Sequence, residues 1–287
     1  MDTNALYAFL AVAESGSFSL AAEQLFLTQP AISKRIAALE DELAVKLFER
    51  LGRKVLLTEA GRTLLPKAKH IIEELAESRR LIANLSGDVR GTLQLATSHH
   101  IGLHRLPEIL RDYSRRFPQV EFDLHFLDSE AGCTAVAAGE LEMAVVTLPE
   151  SPPDQLEIHP VWDDPLKPMV SRDYSKTGSG AFAEIVEHHP AILPEKGTVT
   201  RRLIDSGLAD QGVTPKVGVE TNYLETIRML VSAGLGWSVL PLSMQGDDLV
   251  CVDIPGAGFQ RQLGIVTHRK RTLSRAARMF CDMLLTP

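Results

Sequence analysis

Between positions 17 and 54 the sequence gathers side chains that could read a patterned surface: Ser17, Thr28, Gln29, Ser33 and Lys34, then Arg50 and Arg53. A glutamine can address a base edge bidentately, a serine can answer a donor or an acceptor, and a lysine can reach guanine or a phosphate. The arginines, with Lys46 and Lys54 nearby, supply a local positive footprint. A second group lies downstream and widely spread: Ser98, His99, His100, Asp128, Thr147, Thr198, Thr200, Thr221 and Asn222. Their hydroxyl, imidazole and amide groups suit a small anion such as a carboxylate or oxyanion, provided helix starts aim them at one place. The same residue types are ordinary helix caps, so their joint placement carries the argument.

The elements that must position the first group are short helices. "NALYAFLAVAE" sets Leu6, Phe9, Leu10 and Ala13 at helical spacing, and Gly16 ends the run. Ser17 or Ser19 can cap a second helix over Leu20 to Leu25, whose alanines permit a close neighbour. Thr28 can cap a third, where Pro30 is tolerated in the first turn because its missing N–H had no intrahelical partner. Ile32, Ile36, Leu39 and Leu43 then form one apolar stripe, with Gln29, Ser33 and Lys34 away from it. That is the layout of a major-groove reader, although a helical hairpin with a polar outer face has the same pattern.

The stretch "LFERLGRKVLLTEAG" breaks the tie, because two short apolar runs around Gly52 read as a two-stranded wing with a basic tip. An arginine at such a tip could enter the minor groove. From about residue 4 to residue 65, "AFLAVAESGSFSLAAEQLFLTQPAISKRIAALEDELAVKLFER" and "LTEAGRTLL" resemble the winged helix-turn-helix signature of LysR-type transcriptional regulators. The resemblance implies that Gln29, Pro30, Ser33 and Lys34 lie in the major groove and Arg53 in the wing. Where the family often has arginine this chain has Lys34, which cannot make a planar fork contact.

Residues 58 to 86 follow with a capping Thr58 and a seam of Leu64, Ala68, Ile71, Leu75, Ser78, Ile82 and Leu85, in steps of four and three. Such a seam asks for a partner helix. Two readers held as a dimer would meet an inverted repeat with half-sites about 34 Å apart.

After the polar "SGDVRG" the pattern changes to strands alternating with helices: "TLQLATS", "LPEILRDYSRRFP", "VEFDLHF", "TAVAAGE" and "EMAVVTL". "VWDDPLKPMV" starts a second unit, and "LGIVTH" with the helix from Ser274 to Leu285 returns to the first. The expected fold class is α/β, with an N-terminal winged helix-turn-helix (1–58), a linker and dimerisation helix (59–87), and two α/β lobes, 88–161 with 266–287 and 162–265. The same family resemblance implies a bilobed effector domain similar to type 2 periplasmic binding proteins, tetramers built as dimers of dimers, and contact with RNA polymerase. The ligands in open α/β sheets sit beyond the C-terminal strand ends, which is where the second group of residues falls.

Composition narrows the classes. The 287 residues are 45% hydrophobic with a net charge of −7, and residues 1–87 carry eleven basic and eleven acidic side chains, so bulk charge does not announce nucleic acid. No apolar run reaches the roughly 18 residues that cross a bilayer, and the acidic start lacks the form of a secretory signal, so a cytoplasmic protein with no membrane partner is expected. Cys133, Cys251 and Cys281 form no CxxC pair and read as buried free thiols. No GxSxG elbow, P-loop, HExxH or dinucleotide fingerprint appears, so no enzyme is expected. His100 and His104 have a helical zinc spacing with His99 beside them, yet no carboxylate or thiol in the sequence visibly completes the set. The expectation is therefore no metal and no cofactor beyond a small-molecule co-inducer, with double-stranded DNA and a second copy of the chain as partners. The alternative is an architectural DNA-binding oligomer that senses nothing.

Overall fold

The computed structural model describes residues 2–51, 54–84, 88–174, 182–254 and 258–286. It divides into two compact units, Met1–Leu85 and Ser86–Pro287.

In the first unit, Asp2 caps α1 (Thr3–Ser15) by accepting from the Asn4 N–H at 3.3 Å. Gly16 closes it in the left-handed region, φ +63°, where an L side chain would be strained. Ser17, not Ser19, caps α2 (Phe18–Gln24), accepting from the Leu20 N–H at 3.4 Å. α3 (Gln29–Leu43) carries Pro30 in its first turn, but Thr28 at its N-cap position makes no capping bond, so its exposed hydroxyl is left to solvent. Ile32, Ile36 and Leu39 are buried with Leu6, Phe9 and Val12 of α1, and Leu43 is exposed. The chain turns away at Ala44 (φ +54°), and Glu40 takes the fourth inward place on α3.

The expected wing is present as β1 (Phe48–Leu51) antiparallel to β2 (Lys54–Leu57), with Phe48 opposite Leu57 and Arg50 opposite Val55. Arg53 lies outside the described residues. α4 (Glu59–Asn84) starts at Thr58, whose hydroxyl accepts from the Gly61 N–H at 3.0 Å while donating to the Lys46 carbonyl at 2.6 Å. A Cβ at Gly61 would stand 2.3 Å from the Leu47 carbonyl oxygen, so only glycine lets α4 approach the wing this closely. The seam read along this helix divides in two. Leu64 and Ala68 pack into the unit's own core, whereas Ile71 and Ile82 are exposed, Ile82 at 70%. Leu85 is outside the described residues.

The second unit begins with β3 (Gly91–Thr97), α5 (His99–His104), α6 (Pro107–Arg116), β4 (Val120–Phe126), α7 (Ser129–Ala138) and β5 (Met143–Thr147). β3 lies parallel to both β4 and β5, as the strand–helix alternation demands. α7 starts five residues before the expected "TAVAAGE", at the N-cap Asp128. A 16-residue strand, β6 (Leu156–Ser171), then runs out of this lobe.

Beyond β6 come α8 (Phe182–His188), β7 (Ala191–Leu193), α9 (Val199–Ala209), β8 (Val217–Glu220), α10 (Leu224–Ser232), β9 (Ser238–Pro241) and β10 (Leu249–Cys251). β11 (Phe259–His268) brings the chain back, antiparallel to β6 along its length and to β5 from Leu263 to Thr267, and α11 (Arg275–Leu285) completes the first lobe. The expected lobe boundaries at 161/162 and 265/266 fall inside β6 and β11, which are continuous through both lobes. α8, β8 and β10 had no counterpart in the pattern read from sequence. The first lobe's core packs Leu93, Leu95, Val145 and Ile265 against Tyr113 and Phe280, and the second packs Val170, Leu193, Ile204 and Val239 around Trp237. Among the described residues no helix is long and apolar enough to cross a membrane.

Candidate functional site

Two sites emerge, one in each unit. In the first unit, Thr28, Gln29, Pro30 and Lys34 are exposed at the leading end of α3, and Ser33 is half-buried beside them. The Gln29 Nε2 donates to Ser33 Oγ at 2.9 Å, which aims the amide along the helix face. Ser17 is committed to its cap. Arg50 lies in β1.

Glu40 had escaped notice as a contributor. Its side chain is 8% exposed, and its carboxylate accepts from Lys46 Nζ at 2.6 Å, the Leu47 N–H at 2.8 Å and the Phe48 N–H at 3.3 Å. Burial alone would raise this carboxyl, but those hydrogen bonds and the Lys46 charge outweigh it and hold the carboxyl below its ordinary value. The carboxylate thereby fastens the start of the wing to the back of α3.

In the second unit, all the downstream candidates except Thr221 line one cavity of about 50 Å³ between the lobes: Ser98, His99, His100, Asp128, Thr147, Thr198, Thr200 and Asn222. Thr221 instead sits in the turn before α10, where its hydroxyl accepts from the Tyr223 N–H at 3.4 Å and its own N–H is held by Leu193. Ser98 stands at the start of α5 without a capping bond, and Thr198 caps α9 by accepting from the Arg201 N–H at 3.1 Å. His99 packs between Phe126 of one lobe, centroids 5.3 Å apart, and Tyr223 of the other at 4.9 Å.

Three charged residues that the sequence did not single out complete the site. Arg261 of β11 is buried, donating through Nε to Asp164 at 2.8 Å and through Nη1 to Thr200 Oγ1 at 2.8 Å. Burial lowers the pKa of its guanidinium and the Asp164 charge opposes that shift. Glu130, from the first turn of α7, accepts from the Val199 N–H at 2.6 Å, so a carboxylate of one lobe occupies the N-terminus of α9 in the other. Asn222 adds a second link across the cleft by donating to Asp128 at 3.0 Å. Glu225 of α10 accepts from His100 and His104 of α5, and the hydrogen bond from His100 pulls its carboxyl down to about 2 against the effect of burial.

A signal for Arg261 existed. In "FQRQL" the burial alternates, with Phe259, Arg261 and Leu263 inward, so an arginine on the apolar side of a strand marks a paired, buried cation. The cysteines take no part. Burial raises all three thiols, Cys133 to about 11 and Cys281 to about 12, leaving them protonated, and Cys133 and Cys251 are half-buried instead of fully buried.

A winged helix-turn-helix joined to a two-lobed α/β domain with a cleft cavity defines a class, the bacterial DNA-binding regulator with an attached ligand-binding domain. Comparison with known proteins narrows it. Residues 3–62 match the model of bacterial regulatory helix-turn-helix proteins of the lysR family, and residues 86–286 match the LysR substrate binding domain. The chain belongs to the LysR family of transcriptional regulators. It is 30% identical over 282 residues to the HTH-type transcriptional activator CmpR of Synechocystis sp., covering 96% of this chain and 92% of that one. Full-length OxyR of Pseudomonas aeruginosa, in a cysteine-to-aspartate variant, superposes with a TM-score of 0.71 at 23% identity, covering 100% of this chain and 95% of that one. Full-length CbnR complexed with its target DNA superposes with a TM-score of 0.67 at 24% identity over 99% of both chains. At such identities these two structures speak for the fold.

Proposed function

We propose that this DNA-binding regulator reads an inverted-repeat operator with paired N-terminal units and changes its grip on that DNA when a small anion enters the cleft of the second unit. Gln29, Ser33 and Lys34 are assigned to base edges, Thr28 and Arg50 to phosphates, and Arg53 to the minor groove. The exposed apolar half of α4 is assigned to a second copy of the chain, and a dimer of such dimers brings a regulator to RNA polymerase. The protein acts in the cytoplasm and performs no catalytic step, a reading that rests on its family.

One observation carries the anion assignment. The N-terminus of α9 already receives a carboxylate, that of Glu130, and the buried Arg261 stands in the same cavity. Free N–H groups at a helix start and the positive end of the helix dipole favour a carboxylate or oxyanion at that position. With Glu130 in place the cavity has room for only a few waters or a compact anion. An effector carboxylate would displace Glu130, separate or re-seat the lobes and alter the spacing of the DNA-binding pairs. Such a shift requires different affinities for the two arrangements.

Calorimetric titration of the full chain with a panel of small carboxylates and oxyanions tests this reading, together with DNase footprints taken with and without the binder. Micromolar to millimolar binding by one member and a changed footprint are expected. A panel without a binder, or a binder that leaves the footprint unchanged, favours the oligomer that only bends and assembles.

A further inference from the structure

His100 and His104 stand one helical turn apart on α5, and α10 of the opposite lobe brings Glu225 to them from more than a hundred residues away in sequence. This is the carboxylate that the sequence failed to show. Glu225 Oε1 lies 3.3 Å from His100 Nδ1 and 3.1 Å from His104 Nε2, and the three atoms lie within 4.8 Å of one another. Ligand atoms bound tetrahedrally at about 2.0–2.1 Å stand about 3.3–3.4 Å apart, so two of the three edges of such a site already have nearly the right length. His104 is exposed, and a swing of its ring shortens the third edge.

We propose that His100, His104 and Glu225 bind one divalent transition-metal ion of the zinc class, tying α5 to α10 across the cleft. Two imidazoles and one carboxylate suit zinc and its neighbours; calcium and magnesium require sets made of oxygen. Two imidazole nitrogens converging on a single carboxylate oxygen, their rings 4.8 Å apart, are redundant as a hydrogen bond and complete as three ligands. His100 is 4% exposed, and among the described residues its Nε2 has no hydrogen-bond partner, so the bond from Nδ1 to Glu225 is the one that orients its ring there. The nearby cation Arg261, whose charge reaches Glu225, is neutralised by Asp164 at 2.8 Å. A fourth position is left open, as in sites that hold water or an exchangeable ligand. The metal would act as a clamp on the lobes that needs no organic effector, so this proposal stands without the anion reading.

Full-length protein, stripped with a chelator and desalted, is titrated with Zn²⁺ alone by calorimetry, beside His104→Gln and Glu225→Gln. Both variants replace side chains that are not buried, and circular dichroism confirms that they fold. The wild type is expected to bind one equivalent of Zn²⁺, to gain thermal stability on binding it, and to show the intense visible absorption of tetrahedral Co²⁺ when Co²⁺ is substituted. Each variant is expected to lose both signatures and to weaken by more than the roughly 10–100-fold typical of removing an outer-shell partner. The proposal is overturned if the wild type takes up no stoichiometric Zn²⁺, or if both variants bind it as tightly as the wild type, which would place the ion on other side chains.

Discussion

The amide of Gln29 is the smallest unit on which the DNA-reading assignment rests. Its Nε2 donates to Ser33 Oγ, which leaves the amide oxygen and one N–H for a base edge. Gln29→Ala should cost about 1–3 kcal/mol of discrimination at one base pair and little general affinity. Ser33→Ala should have a smaller effect in the same direction, because the amide then loses its orientation. Selection from randomised duplexes with each variant checks both, and equal losses on cognate and scrambled DNA would remove the role from Gln29. At this scale the sequence was legible where function depends on local position. Thr28, Gln29, Ser33 and Lys34 could be placed by counting from a helix start. Glu130, Glu225 and Arg261 could not, because each gains its meaning from a partner 69 to 125 residues away.

Glu40 and α4 show how whole elements are held, and why some of that holding was missed. A glutamate one turn beyond Ile36 lies on the inward stripe of the helix, but its charge reads as a solvent residue until the wing is seen to fold back and enclose it. Because the folded carboxyl lies below its ordinary value of 4.5, its stabilising contribution is fully present above about pH 4.5 and is lost as pH falls through the lowered folded value. Glu40→Gln should therefore cost about 1–3 kcal/mol at neutral pH, and the gap to wild type should narrow as pH is lowered through that range. Urea unfolding of the two proteins at neutral and acid pH measures this, and a gap independent of pH would show that the charge is not what holds the wing. The seam of α4 was legible as apolar spacing, but the sequence could not show where the domain's own core stops using it. The structure places that change between Ala68 and Ile71. Ile82→Glu should then weaken self-association and, through lost bivalency, lower affinity for a full inverted repeat by roughly 10²-fold or more while sparing a single half-site. Analytical ultracentrifugation with binding to half and full sites tests it; unchanged assembly would assign the exposed stripe elsewhere.

At the scale of the second unit, the alternation of strands and helices announced two lobes, and the strand-end rule put every candidate but Thr221 in the cavity's lining. The links that close the cleft were hidden, since an acidic residue in the first turn of α7 looks like ordinary support for its own helix dipole. Glu130 serves a different helix, for its carboxylate accepts from Val199 at the start of α9 and so competes with any effector carboxylate for that position. Glu130→Gln keeps an oxygen acceptor and removes the charge. The variant should bind the responsive carboxylate more tightly than wild type, by roughly 3–30-fold if the self-interaction contributes about 0.5–2 kcal/mol as charges at partly buried helix ends do. Its basal footprint should move toward the effector-bound pattern, because the closed arrangement keeps the Val199 link only as a weaker, uncharged hydrogen bond beside that of Asn222 to Asp128. Calorimetry on both proteins with the same carboxylate, read beside their footprints, separates the outcomes. Tighter binding with a shifted footprint makes Glu130 an internal competitor that sets the threshold of the response, whereas unchanged affinity would show that the effector never reaches the α9 terminus and that Glu130 is simply a brace between the lobes.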